Sequence, residues 1–291
     1  MRKPKPASSD EGTGTGDTTV TLLGEAIVSR EQSKLVTSSL VGPKISVIMP
    51  AYNEEKMISK CISDARVHLE NLACPYEIII VDDGSTDGTR AEAVRASVNP
   101  HVKVVGYDRN QGKGFAIKHS TKYVTGDVVV FMDSDADVNP DLIKQYVTAL
   151  RNNDVALASK WHPDSRVSTP VMRRLLSHAF NLLVMLLTGL RVSDTQSGFK
   201  AFRREALNSV MNLVSVKHYA FDVELLVAAK LLKLRVIELP IKIRLNSLFS
   251  ARYLLRMLVD LLGITYRLRV IHWYQRNLQN PQAAYEPIIR W

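Results

Sequence analysis

An apolar run passes directly into an acidic turn in Tyr76-Glu77-Ile78-Ile79-Ile80-Val81-Asp82-Asp83-Gly84-Ser85-Thr86-Asp87-Gly88. The run is almost entirely apolar, which is typical of a strand in the middle of a parallel sheet that is covered on both faces. Aspartate and glycine favour a turn after the run, and residues 89–97 read as the helix that follows. The segment therefore predicts a strand–turn–helix unit of an α/β protein.

The same strand-then-helix unit repeats on both sides of this segment. Strands are predicted at 45–49, 101–107, 127–132 and 154–159, and helices at 54–71, 114–124 and 141–152. Repeats of this size predict a doubly wound, mostly parallel sheet with flanking helices. Functional groups in such sheets gather at the carboxyl ends of the strands, where the sequence has Asn53, Asp82, Asp83 and Asp133.

The pattern changes after Lys160. Helices are predicted at 170–190, 205–213, 221–232 and 252–275, a polar loop at 193–202 and a strand at 235–244. Residues 1–43 are predicted to form a disordered tail, because much of this segment is rich in Ser, Gly, Thr and Asp. We therefore divide the chain into this tail, an ordered domain at 44–245 with halves at 44–150 and 151–245, and an amphipathic C-terminal segment at 246–291.

The composition is that of a globular protein with a surplus of positive charge. The 291 residues are 46% apolar and include 38 Lys and Arg against 29 Asp and Glu, for a net charge of +9. The surplus implies an anionic partner, which is nucleic acid, anionic lipid or a phosphorylated substrate. No nucleic-acid-binding motif is found, so we predict no nucleic-acid partner. Cys61 and Cys74 cannot form a disulfide framework and fit a reducing, cytosolic setting.

Three carboxylates stand at alternate positions in Asp133-Ser134-Asp135-Ala136-Asp137, directly after an apolar strand. Like charges at this spacing repel one another unless a cation lies between them. Oxygen ligands favour Mg²⁺ or Mn²⁺ over zinc, and Mg²⁺ often combines one or two carboxylates with substrate phosphates. The alternative is a solvated turn that caps the next helix.

Other motifs carry weaker signals. Asp82-Asp83-Gly84-Ser85 is either a plain turn or a source of carboxylates that accept hydrogen bonds from a base or sugar. Asn110-Gln111-Gly112-Lys113-Gly114 is similar to a phosphate loop but lacks the spacing of a P-loop NTPase. Segment 194–200 taken alone reads as an ordinary loop, and the acids Asp222 and Glu224 as the capped start of a helix.

Two helical segments mix basic and apolar residues. Segment 170–192 fits a buried core helix, whereas the arginines and aromatics of 252–276 favour a membrane surface. The charge-free stretch at 175–190 is short for a membrane span of about 20 residues, and it contains His178 and Asn181. We therefore predict no transmembrane helix.

The order of these motifs resembles the family 2 glycosyltransferases of the GT-A fold. The resemblance begins with Ser46-Val47-Ile48-Met49-Pro50-Ala51-Tyr52-Asn53-Glu54-Glu55 and continues through 81–89, 110–114 and 133–135. The later segments 194–200 and 221–224 resemble the branch that transfers glucose or mannose to dolichyl phosphate. The resemblance covers residues 44–274, with the nucleotide-sugar half at 44–150, the acceptor half at 151–245 and amphipathic interfacial helices after it.

The resemblance implies a reaction. A hexose moves from a nucleotide sugar, UDP-glucose or GDP-mannose, to dolichyl or another polyprenyl phosphate with inversion, and so supplies lipid-linked sugar for protein glycosylation. Glucose is favoured over mannose, and the implied cofactor is Mg²⁺ or Mn²⁺. The implied location is the cytoplasmic face of a membrane, where the enzyme is peripheral and contacts an anionic membrane surface.

The resemblance also assigns roles to individual residues. The residues implied to bind the nucleotide sugar are Pro50, Tyr52, Glu54, Val81, Asp83, Lys113, Asp133, Ser134 and Asp135, with Asp83 on the base. The implied metal ligands are Asp133, Asp135 and Asp137. Those implied to bind the acceptor phosphate are Lys160, Arg173 and Arg244, where Lys160 replaces an arginine of the family pattern. The implied catalytic residues are Asp135, Lys160 and Arg173, and the further candidates are Asp194, Gln196 and Asp222.

Two other functions are compatible with the motifs. One is a family 2 enzyme with a soluble or polysaccharide acceptor. Such an acceptor gives no function to the basic, apolar surface of the C-terminal helix. The other is a noncatalytic nucleotide-sugar-binding membrane scaffold, which has no need of the intact Asp133-Ser134-Asp135 motif.

Overall fold

The computed structural model describes Met1 and residues 42–135, 138–218, 220–244 and 251–279. Most of the predicted tail and the predicted metal ligand Asp137 lie outside these residues. From Pro43 onward the chain forms one compact unit.

A seven-stranded sheet forms the centre of this unit, with the order β3-β2-β1-β4-β7-β5-β8. Its strands are β1 (Ile45–Ala51), β2 (Tyr76–Asp83), β3 (Val102–Tyr107), β4 (Val128–Phe131), β5 (Val155–Ser159), β7 (Lys200–Arg203) and β8 (Val236–Pro240). Strand β7 is antiparallel to both of its neighbours, and the other pairs are parallel. The predicted mostly parallel α/β sheet is confirmed.

Helices cover both faces of the sheet. They are α1 (Ile58–Glu70), α2 (Thr89–Ala96), α3 (Lys113–Ser120), α4 (Leu142–Ala149), α5 (Val171–Thr188), α6 (Arg204–Met211), α7 (Phe221–Leu231), α8 (Ala251–Arg269) and α9 (Trp273–Gln279). Strand β2 shows why its sequence is continuously apolar. Ile79 and Val81 pack into the core on the α3 and α7 side, while Ile78 and Ile80 pack into the core on the α1 and α4 side.

The polar loop predicted at 193–202 is wrong at its end, because residues 200–203 form strand β7 in the interior of the sheet. The strand begins with Lys200, whose side chain is buried and paired with Asp222. A four-residue strand that starts with a lysine has no alternating or apolar pattern from which a central strand is recognised.

Two other predicted elements are divided. The strand predicted at 235–244 breaks at Ile241, and its second part, β9 (Lys242–Arg244), pairs in parallel with β6 (Arg166–Ser168) in a separate two-stranded sheet. The long C-terminal helix ends at Arg269 and restarts at Trp273, since His272 adopts a left-handed conformation with φ of 47°.

The C-terminal helices are attached to the core through a buried carboxylate. Glu224 of α7 is fully buried and accepts hydrogen bonds from Arg267 at 2.8 Å and from Tyr274 at 2.5 Å. It also accepts the backbone amides of Ser215 and Val216. A buried charge with this many partners ties α8 and α9 to α7.

Helix α5 is longer than the charge-free stretch that the sequence shows. Within the described part of the chain it is the single helix that is long and apolar enough to cross a membrane, by length and composition alone. Its buried side chains are Phe180, Val184 and Thr188, whereas large apolar side chains on its other side are exposed.

Candidate active site

Three neighbouring strands, β2, β1 and β4, bring the predicted motifs to one edge of the sheet. The hydroxyl of Ser134 donates to the carbonyl of Pro50 at 2.9 Å, so the acidic turn after β4 is tied to the end of β1. The thiol of Cys61 contacts the carbonyl of Ser134 from α1. The expectation that the strand ends lie together is therefore confirmed.

The turns after β1 and β2 are also joined. Asn53, with φ of 57°, accepts the amide of Thr86 through its side chain, and its own amide donates to Ser85. The amide of Glu54 donates to the hydroxyl of Thr89 at 2.7 Å. Tyr52 is exposed beside this junction, so its ring is available to a ligand.

Asp83 organises the loop that follows β3. Its buried carboxylate accepts hydrogen bonds from the hydroxyl of Tyr107 at 2.7 Å, the amides of Gln111 and Gly112, and the side chain of Asn110. Burial and the hydrogen bond to Asp83 raise the pKa of Tyr107 well above its usual value. Asp83 therefore supports the loop that carries Lys113, whatever contact it makes with a base.

Val81 does not offer its side chain to a ligand. It is fully buried in the core, so only its backbone can take part in the predicted binding of a nucleotide.

Lys113 lies at the start of α3 and reaches the acidic turn. Its ammonium is 2.6 Å from Oδ1 of Asp133. Burial acts to lower the pKa of Lys113, but the carboxylates of Asp133, Asp222 and Asp135 outweigh burial and raise it. Lys113 therefore carries its charge at neutral pH among three carboxylates, which places Asp222 in the same cluster as the turn.

The loop before β7 forms the floor under Asp133. Gly198 approaches so closely that a methyl group built on it lies 1.8 Å from Oδ2 of Asp133. Behind it, Lys200 is paired with Asp222 at 2.7 Å and donates to the carbonyl of Ser197. The sequence indicated the segment 194–200 but gave no role to Gly198 or Lys200, since their partners lie on other elements.

Lys160, predicted to bind the acceptor phosphate, is paired with Asp194. Its ammonium is 2.7 Å from the carboxylate, and its backbone amide donates to the same group. The amide of Gln196 also donates to Asp194. Both members of the ion pair are largely buried, so Asp194 holds Lys160 at the end of β5.

The predicted phosphate ligands Arg173 and Arg244 lie on connected elements. Arg173 is partly buried in the first turn of α5, and its neighbour Arg174 lies over the ring of Trp161. Trp161 in turn stacks on His178 of α5 at 3.7 Å between ring centroids. Arg244 ends β9, where its backbone pairs with Ser168, shortly before α5 begins; its side chain lies outside the described part of the structure.

The acidic turn can hold a divalent metal only together with a bound molecule that supplies further oxygen ligands. No cluster of three His, Cys, Asp or Glu side chains suited to a metal occurs in the described residues, which do not include Asp137. Asp133 already accepts a cation, the Lys113 ammonium, and Asp135 is exposed on the same turn. Two carboxylates completed by phosphate oxygens form a usual Mg²⁺ or Mn²⁺ site.

A cavity of about 880 Å³ opens beside Asp133. Helix α1, residues 132–133 and 138–140 and strands β6 and β9 line it, and its lysines and arginine, Lys60, Arg166 and Lys242, lie beside the carboxylates of Asp64 and Asp133. Its size suits a small-molecule ligand next to the acidic turn.

Comparison with known proteins agrees with this geometry. The family model described as glycosyl transferase family 2 matches residues 46–211. Glycosyltransferase AglD of Haloferax volcanii is 32% identical over 212 residues, which are 70% of this chain and 34% of AglD. Dolichyl-phosphate beta-glucosyltransferase of Drosophila melanogaster is 32% identical over 216 residues, and the human one is 32% identical over 215 residues. In both comparisons the match covers 68% of this chain and 66% of the relative.

Solved structures show the same architecture. Glucosyl-3-phosphoglycerate synthase of M. tuberculosis is 26% identical with a TM-score of 0.61, over 77% of this chain and 80% of that one. The same synthase in complex with Mn²⁺, UDP and phosphoglyceric acid is 25% identical with a TM-score of 0.61, over 77% of this chain and 78% of that one.

The matched region covers more than half of the chain and includes Asp83, Lys113 and the acidic turn. It also includes strand β7 and the Gly198 floor under Asp133. The chain therefore belongs to glycosyl transferase family 2 and has the GT-A fold.

Proposed function

We propose that this glycosyltransferase moves glucose from UDP-glucose to the phosphate of dolichol or a related polyprenol, with inversion and with a divalent ion. The sugar and the acceptor follow the relatives named dolichyl-phosphate beta-glucosyltransferase, and the UDP carrier and the divalent ion follow the neighbour crystallised with Mn²⁺ and UDP. Such a product supplies lipid-linked sugar for protein glycosylation.

The observation that carries the lipid acceptor is the position of α5. Its first half packs against site residues, since Leu176, Ser177 and Phe180 share a small pocket with Asp194 and Gln196. The opposite side of α5 exposes large apolar side chains: Val171, Met172, Leu175, Leu182, Met185 and Leu186. A lipid-linked phosphate needs both a cationic site and an adjoining apolar surface, and this helix connects the two.

The chemistry requires few special groups. An oxygen of the acceptor phosphate attacks the anomeric carbon of glucose, the bond to the diphosphate breaks, and UDP leaves on the opposite side. The acceptor is already an anion, so no general base is needed. Asp133 and Asp135 would hold the divalent ion, which would supply positive charge for the leaving diphosphate. Lys113 adds charge on the donor side, and Lys160 with Arg173 receives the acceptor phosphate.

Donor and acceptor are tested together with a panel of labelled UDP-glucose, GDP-mannose and UDP-N-acetylglucosamine. Each is supplied with dolichyl phosphate, detergent and Mg²⁺ or Mn²⁺. We expect organic-extractable label from UDP-glucose alone, and loss of product when EDTA replaces the metal.

Each other outcome of the panel identifies another function. Lipid product from GDP-mannose would replace glucose with mannose, the second sugar that the motifs favour. A water-soluble product would identify a soluble or polysaccharide acceptor. No product from any donor, with UDP still raising the melting temperature, would leave a noncatalytic nucleotide-sugar-binding scaffold.

We further propose that the enzyme docks peripherally on the cytoplasmic face of an anionic membrane. Helix α8 lies against α5 and exposes Leu255, Val259 and Leu262. The helices are also joined by Arg269, which donates to the carbonyls of Leu186 and Leu187. Together with Arg174, the two helices present an apolar face with basic residues, the pattern of an interfacial helix pair.

Vesicle sedimentation tests this docking. At low salt we expect the protein to pellet with vesicles that contain phosphatidylserine, and to release as salt is raised, since the basic residues are screened. Failure to pellet at low salt would contradict the proposal, and pelleting that salt does not reverse would favour insertion of α5 over surface docking.

A further inference from the structure

Both oxygens of Asp133 lie close to other groups of the protein. Oδ1 lies 2.6 Å from the ammonium of Lys113. Oδ2 faces the backbone of Gly198 at a distance that leaves no room for a methyl group. A cation that approaches Asp133 therefore meets a carboxylate whose Oδ1 already has a positively charged partner, the Lys113 ammonium.

The backbone that carries Lys113 is held from two sides. On one side, the Asp83 carboxylate accepts hydrogen bonds from the backbone amides of Gln111 and Gly112. On the other, the amide of Phe115 donates to the carbonyl of Lys217 at 3.1 Å. Gly112, with φ of 94°, has no room for a side chain against His218. The loop is thus fixed, and the flexible four-carbon stem of Lys113 is the part that is free to change position.

We propose that Lys113 occupies the cation position on Asp133 until the diphosphate of a nucleotide draws it away, so that donor and metal enter the site together. The inference rests on the proposed metal-assisted use of a nucleotide sugar. Two cations on one carboxylate oxygen repel each other, so the metal and the ammonium exclude each other there. The diphosphate offers Lys113 another anion and gives the metal its remaining oxygen ligands.

The exchange has a thermodynamic consequence. Without nucleotide, a divalent ion binds weakly because it must displace Lys113. When a nucleotide is bound, its diphosphate gives the displaced Lys113 ammonium a new anionic partner. Nucleotide and metal therefore each strengthen the binding of the other by the same factor. Removal of the lysine charge should therefore improve the binding of metal alone while it weakens this coupling.

The test is a titration with Mn²⁺ alone, in which the electron paramagnetic resonance signal reports free Mn²⁺. Lys113→Met and Lys113→Gln should bind Mn²⁺ about tenfold more tightly than the unmodified protein, a change within the usual range of coupling between sites. Lys113→Arg keeps the charge and should bind Mn²⁺ within twofold of the unmodified protein. Lys217→Met is the matched control, because it removes an exposed lysine that lies over the ring of Phe115.

A second titration adds saturating UDP. The factor by which UDP tightens Mn²⁺ binding should be at least about threefold smaller in Lys113→Met than in the unmodified protein. Unchanged Mn²⁺ affinity in both neutral variants would overturn the proposal. An equal gain in Lys217→Met would also overturn it, since it would reveal a general charge effect. Neither titration contains a sugar or an acceptor. The titrations can therefore contradict the exchange of Lys113 for metal while the donor panel confirms the transfer reaction, and they can support the exchange while the panel contradicts the transfer.

Discussion

Asp135→Asn should reduce the proposed transfer of glucose to dolichyl phosphate by about a thousandfold, because the loss of one of the two carboxylates proposed to hold the metal would remove several kcal/mol of charge stabilisation from the departing diphosphate. Asparagine has nearly the same shape as aspartate. Asp135 is also exposed on the turn after β4, so the fold does not depend on its burial. The loss should therefore appear in the initial rate with labelled UDP-glucose, and the melting temperature should stay within about 1 °C.

The matched control for this variant is Asp164→Asn. Asp164 is an aspartate with 81% of its side chain exposed, and its neighbour is the His162 ring rather than the acidic turn. The same change of charge at this position should leave the rate within about twofold, since exposed pairs of this kind contribute little. A variant of Asp135 that kept a tenth of the activity would show that the second carboxylate of the turn does not hold the metal.

Gly198→Ala should reduce the transfer rate by about a hundredfold and lower the free energy of unfolding by about 1–3 kcal/mol. The added methyl group would lie 1.8 Å from Oδ2 and 2.6 Å from Cγ of Asp133. Asp133 is also paired with Lys113 on its other side, so a shift of its carboxylate disturbs this ion pair. Either the carboxylate or the loop before β7 must move, and each change misplaces the groups proposed to surround the donor diphosphate.

The readouts are kcat with saturating UDP-glucose and urea unfolding monitored by circular dichroism. Gly263→Ala is the control, since the new methyl group would meet only the side chain of Arg267 at 3.6 Å, an ordinary contact. A glycine replaced by alanine inside helix α8 should stabilise the protein by about 0.5–1 kcal/mol. Normal turnover in Gly198→Ala would mean that Asp133 is free to move without loss of function.

These two variants differ in how far the sequence alone leads to them. Asp135 is found directly, because an Asp-Ser-Asp turn after an apolar strand predicts a cation site, with a solvated turn as the alternative. Gly198 is part of a quoted motif but has no readable role there. Its importance comes from a close approach to Asp133, which depends on β7 lying next to β4 in the sheet.

The amino-acid sequence by itself determined the α/β architecture, the location of the site at the strand ends and the order of motifs that resembles the family. Each of these depends on local features: apolar runs such as 78–81, aspartate and glycine turns, and the repeat of strands and helices. Such features depend on residues close together in the chain, so they are recognised without knowing which distant residues pack against them.

Only the tertiary structure decided which charges meet. Lys160 pairs with Asp194, 34 residues away, and Lys200 pairs with Asp222, 22 residues away. Lys113 lies on Asp133 because β4 is placed beside β1 and α3 packs over the same edge of the sheet. The position of β7 was equally hidden, since a short strand that begins with a buried lysine is stabilised by its partner carboxylate and not by its own sequence pattern. Such pairings depend on strand order and on the geometry of loops, which bring together residues that no local pattern connects.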